Sequence, residues 1–333
     1  MKLGLYGSIA NPPRGDDLDV CVQDTLAEVV ACEEAGFDGF FFGEHHQDKD
    51  GFLPSPLVVA AAAAARTERI DIGTSVILLP LHHPVRTAED AATLDIISGG
   101  RAKIGVGLGY QPADFHMFGL DIAERVPLYE ECLEIVRRCW TGERFSFEGE
   151  HYRMEDVQMR PPPLQQPMPL WLGAWAPAAV RRAARVGNAW ITGPSMSLGD
   201  LAPMVEVYRA ECEAAGRPAQ VVLMRDGWVA TSRAEAESVY GPEVIAAYKY
   251  YWRNGALAFR GMAEADLTLD KLAEDRLILG EPSECVDQLG RWGELLGVDY
   301  VVLRLRHAHS GGPPHSAIMR AIELFGTSVI PEI

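Results

Sequence analysis

The stretch that decides the fold is Phe40-Phe41-Phe42-Gly43-Glu44-His45-His46, where three aromatic residues run directly into a carboxylate and two imidazoles. A parallel strand that is buried on both faces has a continuous apolar sequence rather than an alternating one. In α/β barrels, the residues that carry the chemistry lie where such strands end. The stretch therefore predicts a buried strand that ends at the rim of an active site.

Strand-like runs alternate with helical patterns along the whole chain. The predicted strands are Leu3–Gly7, Phe37–Phe42, Ile70–Leu79, Ala102–Leu108, Pro169–Ala174, Ala189–Thr192, Val221–Val229 and Val298–Leu305. The segments between them have the apolar spacing of helices, and the one that opens at His83-Pro84 places Ile96 on its apolar stripe. Strands joined by helical crossovers favour an α/β fold, a (β/α)8 TIM barrel, over an open doubly wound sheet.

We expect residues 1–333 to form a single barrel domain with loop insertions, because α/β barrels often reach this length. Around residues 141–169, two alternating segments predict a β-hairpin followed by a proline-rich loop. Around residues 240–278, aromatic clusters with weak strand signal predict a second insertion over the barrel mouth. Some of its aromatic residues are candidates either for a lid that excludes water or for a packed surface: Tyr248, Tyr250, Tyr251 and Trp252.

Composition excludes several kinds of partner. The net charge of −17 disfavours a nucleic-acid partner, because phosphate backbones are bound by clustered Lys and Arg. The first residues form a strand pattern rather than a signal peptide, and the longest apolar run, Leu57–Ala65, is far shorter than the roughly 20 residues that cross a bilayer. The cysteines are scattered without a C-x-x-C pair, so we expect reduced thiols in a cytoplasmic protein with no membrane contact.

Glu44 and the pair His45-His46 permit two interpretations, a buried imidazole bonded to a carboxylate or a catalytic group. Successive strand residues point to opposite faces, so at most one of the two imidazoles faces inward while the strand stays regular. A second pair, His82-His83, follows the third strand. Four histidines at one mouth also suggest a metal hydrolase, but neither pair has helical i, i+4 spacing, so we expect no metal.

The run Gly105-Val106-Gly107-Leu108-Gly109 ends the fourth strand but lacks the third glycine and the helix of a dinucleotide-binding loop. Two interpretations stay open. Glycines without Cβ let a flat ligand lie against the backbone, or they permit close strand packing where a barrel tapers. Tyr110, which follows, either donates a hydrogen bond into the site or packs at its rim.

Other polar residues are expected to be structural. Two arginines are predicted to form ion pairs rather than to touch a ligand: Arg86 and Arg101, with Glu89, Asp90 or Asp95 as partners. Three histidines near the end of the last strand are expected in a solvated loop: His307, His309 and His315.

Taken in order, these motifs resemble the bacterial luciferase-like monooxygenase family. The matching segments are Glu44-His45-His46, Leu53-Pro54-Ser55-Pro56, Gly73-Thr74-Ser75-Val76, His83-Pro84-Val85-Arg86, Ser98-Gly99-Gly100-Arg101 and Asp114-Phe115 with Phe118-Gly119. Each motif is weak alone, but their colinear order up to about residue 125 is specific. The match thins towards the carboxyl terminus.

The resemblance implies a (β/α)8 barrel that holds reduced FMN or, in a sister branch, the reduced 5-deazaflavin coenzyme F-420. In the FMN branch the reduced ring reacts with O2, and a small or medium organic substrate is oxygenated; in the other branch the coenzyme passes hydride. A third alternative is a non-catalytic flavin-binding protein. The implied partners are a separate NAD(P)H-dependent flavin reductase and further copies of the chain, as a homodimer or higher homo-oligomer.

The resemblance also implies site residues. His45 matches the family histidine at the reacting edge of the ring, with Glu44 and Tyr110 as further catalytic candidates. The bond Ser75–Val76 matches a non-proline cis peptide under the ring. The implied cofactor-binding residues are Ser75, Val76, Gly107, Leu108, Gly109, Gly173, Ala174, Trp175 and Ala176.

The chain departs from luciferase proper around the flavin phosphate. Leu108 replaces the arginine that luciferase presents to the phosphate, and Trp175 and Ala176 replace a carboxylate and a hydroxyl residue. The phosphate is therefore expected either on backbone N–H groups near Trp175-Ala176, where a helix begins, or on another basic residue. Light emission is not expected. The substrate, and the choice between FMN and deazaflavin, stay open at this stage.

Overall fold

The computed structural model describes residues 1–9, 18–47, 53–298, 300–307 and 312–333. Its strands are β1 (Lys2–Gly7), β2 (Gly39–Phe42), β3 (Asp71–Leu78), β4 (Ala102–Gly107), β5 (Phe145–Glu148), β6 (Arg153–Val157), β7 (Leu170–Gly173), β8 (Ala189–Ile191), β9 (Val221–Val229), β10 (Leu277–Gly280) and β11 (Tyr300–Arg304). Its α-helices are α1 (Leu18–Ala35), α2 (Pro56–Ala64), α3 (Pro84–Ser98), α4 (Pro112–Met117), α5 (Arg125–Trp140), α6 (Pro177–Val186), α7 (Leu198–Ala214), α8 (Arg233–Arg253), α9 (Leu269–Arg276), α10 (Pro282–Leu296) and α11 (His315–Ser328). Short 3-10 turns lie at Leu79–Leu81, Ile122–Glu124, Leu257–Phe259, Glu264–Asp266 and Ile330–Glu332.

Parallel strands close into a barrel in the order β1-β2-β3-β4-β7-β8-β9-β11. Closure comes from the pairing of β11 with β1, where Tyr300 lies beside Lys2, and from the pairing of β8 with β9. Each strand of this ring overlaps one of the predicted strands. The predicted (β/α)8 barrel is therefore confirmed.

The aromatic triplet of β2 is buried on both faces of the barrel wall. Phe41 lies inside the barrel, with its ring centroid 5.1 Å from that of Trp171 and 6.1 Å from that of Tyr300. Phe40 and Phe42 belong to the core between the strands and the surrounding helices. This two-sided burial is the reason that the strand sequence does not alternate.

The two predicted insertions have different outcomes. β5 and β6 form the predicted antiparallel hairpin, with Phe147 opposite Met154. The segment 240–278, in contrast, contains most of α8, all of α9 and the first two residues of β10, a strand that the sequence did not reveal. β10 pairs with the end of β9, and Leu277 lies beside Asp226.

Of three surface or helix residues with a predicted position, one lies as expected and two do not. Arg86 forms the predicted ion pairs with Glu89 and Asp90, at 3.5 and 2.9 Å. The ion pair predicted for Arg101 is wrong, because its guanidinium donates instead to carbonyl oxygens, including those of Ile70 and Thr67, at 2.7 and 2.9 Å. The interior position predicted for Ile96 is also wrong, since 39% of it is exposed.

Two features bear on the cellular setting of the chain, the nature of its helices and the state of its cysteines. Within the described ranges, every helix is too short or too polar to serve as a membrane span. The six cysteines are buried thiols at positions 21, 32, 132, 139, 212 and 285.

Candidate active site at the barrel mouth

Glu44 joins the carboxyl ends of β2 and β3. Its side chain has no exposed surface, and one oxygen, Oε1, lies 2.6 Å from Nε2 of His46 and 2.7 Å from Nε2 of His82. The other oxygen, Oε2, accepts the backbone N–H of Leu78 at 2.8 Å. Because an ionised carboxylate only accepts hydrogen bonds, both imidazoles must carry a proton on Nε2. We call these three side chains, Glu44, His46 and His82, the carboxylate–imidazole cluster.

The charges of the cluster follow from these contacts. Burial alone would raise the pKa of Glu44, but the hydrogen bonds from His46, His82 and Leu78 outweigh it and lower the pKa to about 2. Burial would lower the pKa of His46, but the hydrogen bond and charge of Glu44, together with the charge of Asp114, raise it. Glu44 is thus ionised at any ordinary pH, and His46 gains a proton more readily than a free imidazole.

The carboxyl end of β3 carries the predicted cis peptide between Ser75 and Val76, which is confirmed. The backbone N–H of Glu44 donates to the Val76 carbonyl at 3.2 Å, so the bond lies directly beside the cluster. The Val76 side chain is half-buried and packs on the inner barrel core. It is the apolar floor of the barrel mouth.

Gly107 and Gly173 make room for this floor. A Cβ at Gly107 would stand 2.6 Å from Cγ2 of Val76, and a Cβ at Gly173 would stand 3.2 Å from Cγ1. The missing Cβ at Gly107 therefore leaves room for the Val76 side chain. Gly109 has φ of 76°, and its neighbour across the turn is the Phe115 ring.

Trp175 borders the mouth after β7. Its side chain is 36% exposed, and the indole lies so close to Gly193 that a Cβ there would stand 2.5 Å from the ring. Arg225 supports the loop that contains Gly193, since its guanidinium donates to the carbonyls of Gly193 and Pro194 at 3.4 and 3.2 Å. Ala174 is buried, and Ala176 is the residue that precedes the first turn of α6, as expected.

Three further residues that the sequence analysis identified lie on the rim. Tyr110 is 57% exposed after β4, and Leu108 is half-buried. His45 is half-buried, and its backbone N–H donates to the Leu53 carbonyl at 3.2 Å. Of the His45-His46 pair, His46 is the fully buried member.

Phe118, the residue that follows α4, covers the carboxylate–imidazole cluster. It is 40% exposed, and its ring centroid lies 5.0 Å from that of His46 and 6.4 Å from that of His82. His83, the residue before α3, instead contacts the Tyr152 ring at 5.5 Å. The two histidines of the second pair thus have different environments.

A buried charged network that the sequence analysis missed lies at the ends of β9 and β11. Arg304 and Asp226 form two hydrogen bonds, Nε to Oδ1 at 2.6 Å and Nη2 to Oδ2 at 3.0 Å. Tyr248 donates to Oδ2 of Asp226 at 2.7 Å, and Arg304 donates to the Tyr251 hydroxyl at 3.0 Å. The sequence did contain a signal for this network. Asp226 and Arg304 are charged residues in otherwise apolar strands, and such residues need partners when they are buried.

The solvated loop predicted after the last strand is wrong for His307. This residue is 1% exposed, and its Nε2 lies 2.9 Å from the Tyr240 hydroxyl. His315 is half-buried at the start of α11, with Nδ1 2.9 Å from Glu28. His309 lies outside the described residues. Tyr248 is likewise fully buried, which makes it a core residue rather than the surface of a lid.

Among residues whose placement is described, no group of three or more His, Cys, Asp or Glu side chains is arranged to hold a metal ion. Glu44, His46 and His82 offer proton exchange beside the apolar floor formed by Val76. That combination suits a bound organic cofactor.

Comparisons with known proteins agree with this geometry. The family model described as luciferase-like monooxygenase matches residues 1–300. The F420-dependent glucose-6-phosphate dehydrogenase of Nakamurella multipartita is 30% identical over 326 residues, covering 91% of this chain and 90% of the relative. The 4-hydroxyprotoasukamycin monooxygenase of Streptomyces nodosus subsp. asukaensis is 29% identical over 351 aligned residues, covering 98% of this chain and 91% of the relative.

The barrel is also similar to solved structures. The monooxygenase RslO1 from Streptomyces bottropensis superposes with a TM-score of 0.86 at 26% identity, and the match covers 99% of both chains.

Proposed function

The chain belongs to the luciferase-like monooxygenase family, and on that premise we propose that it uses reduced FMN and O2 to oxygenate a small or medium organic substrate. The observation that carries the proposal is the half-buried Val76 side chain between Gly107 and Gly173, beside the carboxylate–imidazole cluster. An apolar floor next to proton-bearing groups suits a redox reaction on a flat ring, because the protein then supplies position and dryness while the cofactor supplies electrons.

The residues of the mouth fit FMN. Val76 would lie under the ring, with Ser75, Gly107, Leu108, Gly109 and Gly173 around it, and Trp175 with Ala174 would border it. The phosphate would be held at the start of α6, where unpaired backbone N–H groups attract an anion. Pro177, the first residue of α6 after Ala176, has no N–H. The donors would therefore be the backbone N–H groups of the residues that follow it in the first turn of the helix.

Bound FMN in its reduced form supplies two electrons to O2. The chain's own residues handle protons and exclude water. Glu44, ionised and fully enclosed, holds His46 and His82 with Nε2 protonated. We assign His45 to the reacting edge as general acid or base, on its family match, and exposed Tyr110 to a hydrogen bond with the substrate.

A second candidate is hydride transfer from reduced coenzyme F-420. The relative of 30% identity that is named an F420-dependent dehydrogenase supports it. The same floor and the same α6 terminus would serve that coenzyme. Flavin storage without catalysis is a third outcome of the test below.

We further propose a separate NAD(P)H-dependent reductase as the source of reduced flavin, and a homodimer or higher homo-oligomer in a reducing cytoplasm. The apolar residues Val58 on α2 and Ile97 on α3, 71% and 46% exposed, support a contact between copies. The buried thiols support a reducing compartment.

The test is anaerobic titration of the apoprotein with reduced FMN and, in parallel, with reduced coenzyme F-420. Each complex is then mixed with heavy-isotope O2 and a panel of organic substrates, and the products are analysed by mass spectrometry. Binding of FMN with label in the product supports the monooxygenase. Binding of F-420 alone, with an unlabelled reduced or oxidised product, selects hydride transfer. FMN binding without turnover selects storage.

A further inference from the structure

Within the carboxylate–imidazole cluster, a single oxygen of Glu44 accepts hydrogen bonds from two rings, at 2.6 Å from His46 and 2.7 Å from His82. We propose that His82 carries protons between the bound reactants and water, with Glu44 as its positioning residue and His46 as its buried partner. This inference rests on the proposed function, since it names a further acid–base residue for that reaction.

The contacts of Glu44 fix the tautomer of His82. Glu44 also accepts the Leu78 N–H at 2.8 Å, so the carboxylate is held in place from the backbone as well as by both rings. Nε2 of His82 must therefore be the protonated nitrogen, because the carboxylate can only accept. The lone pair of the neutral ring then lies on Nδ1, which is the nitrogen available to take up a proton.

The three side chains of the cluster differ in how far they are exposed to solvent. The His82 side chain is 33% exposed, whereas that of His46 is 5% exposed and that of Glu44 is 0% exposed. A reactant or a water molecule can reach His82, but it cannot reach the carboxylate. His82 is therefore the ring that can exchange protons, whereas His46 is buried beneath the Phe118 ring.

Proton uptake by His82 changes the charge of its ring. When His82 takes a proton from an O–H or N–H group of a bound molecule, that proton bonds to Nδ1 and the ring becomes a cation beside an anionic carboxylate. The proton then passes to water, and the ring returns to its neutral form. Within the described ranges, the charged or titratable groups that act on the cluster include His46, which shares the same oxygen, and Asp114 on α4, whose charge raises the pKa of His46.

The neighbouring histidine provides a matched control. His83 is exposed, precedes α3 and packs against the Tyr152 ring at 5.5 Å rather than against Glu44. Substitution of His83 therefore alters an adjacent imidazole of the same type while it leaves the carboxylate–imidazole cluster intact.

The first experiment needs no cofactor. Histidine ¹⁵N NMR of the apoprotein should show neutral His82 and His46 with the proton on Nε2, and Glu44→Gln should move the signals of both while His83→Gln moves neither. A neutral His82 with its proton on Nδ1 would overturn the proposal.

The second experiment measures turnover against pH for wild type, His82→Gln, Glu44→Gln and His83→Gln. We expect His82→Gln to lower kcat about 100-fold, a typical contribution of a general acid or base, with flavin affinity unchanged within about twofold. Glu44→Gln should also lower kcat, because the amide, which can donate as well as accept, no longer fixes the proton of His82 on Nε2. Full kcat and an unchanged profile in His82→Gln would overturn the assignment while the proposed function stands. Absence of turnover in the wild type with either coenzyme would instead overturn the proposed function, and this assignment with it.

Discussion

Arg304 and Asp226 are register partners on neighbouring strands, and their side chains form a two-fold hydrogen-bonded ion pair inside the barrel mouth. The carboxylate has no exposed surface, and the arginine side chain is 8% exposed. Asp226→Asn leaves the guanidinium buried without a counter-charge, so we expect a loss of about 3–5 kcal/mol in the free energy of unfolding. Urea denaturation measures this loss.

The control for that variant is the same substitution in an exposed pair. Asp156 bonds Arg144 at 2.7 Å with 73% of its side chain exposed, and Asp156→Asn should cost about 1 kcal/mol or less. Similar losses in the two variants would contradict the structural role given to the buried pair.

Gly107→Ala should disturb the floor of the mouth, because the added Cβ would stand 2.6 Å from Cγ2 of Val76 and force the side chain to move. We expect about tenfold weaker binding of reduced FMN, equivalent to about 1.4 kcal/mol. Anaerobic titration monitored by flavin absorbance provides the measurement. Gly290→Ala is the matched control, because it lies inside α10 with open space around its Cβ and should leave affinity unchanged. Equal affinity in both variants would remove Val76 from the flavin site.

The stability of the chain should depend on pH through Glu44. Its pKa of about 2 in the folded state lies below the ordinary value of 4.5, so the ionised carboxylate stabilises the fold above pH 4.5, and that stabilisation is lost as pH falls towards 2. The raised pKa of His46 acts oppositely, since its contribution is present below pH 6.5 and is lost as pH rises through the raised value.

Glu44→Gln removes the first dependence and weakens the second, because the charge of Asp114 still acts on His46. The difference in unfolding free energy between wild type and Glu44→Gln should be on the order of 3 kcal/mol near pH 5 and should shrink towards pH 2. Chemical denaturation across this pH range tests the expectation. A difference that stays constant would show that the carboxylate is not held by the two imidazoles.

Trp175→Ala should weaken the binding of reduced FMN by roughly tenfold, because an aromatic contact contributes about 0.5–1.5 kcal/mol beyond its buried area. The indole is only 36% exposed and packs on Gly193, so it offers a fixed edge to a ligand. Leu164→Ala, in the proline-rich loop, truncates a residue that is 59% exposed and should have no effect on the titration. Equal Kd values for the two variants would place the ligand away from Trp175.

The barrel itself was predictable because apolar strand-like runs alternate with helical patterns, and Phe40-Phe41-Phe42 is the continuous apolar run that is typical of a strand buried on both faces. Strand β10 was not predictable from the sequence, because Leu277–Gly280 is only four residues long and directly follows α9. Its pairing with β9 is a long-range contact that no local pattern encodes.

The site was predictable only in part. The order of motifs located the mouth and the cis peptide at Ser75–Val76, but it did not show which imidazole Glu44 binds. The contact with His82 spans 38 residues and depends on how β2 and β3 are aligned. His307 was misplaced for the same reason, since its partner Tyr240 is 67 residues away.

The rings of Phe41, Trp171 and Tyr300 fill the interior of the barrel, with Trp171 and Tyr300 centroids 5.5 Å apart. The interior of the barrel is thus filled with side chains beneath the mouth and is not an open channel. If the coenzyme rests on Val76 as proposed, it would have to enter before the molecule that binds above it and leave after that molecule. We therefore expect an ordered sequence of binding and release.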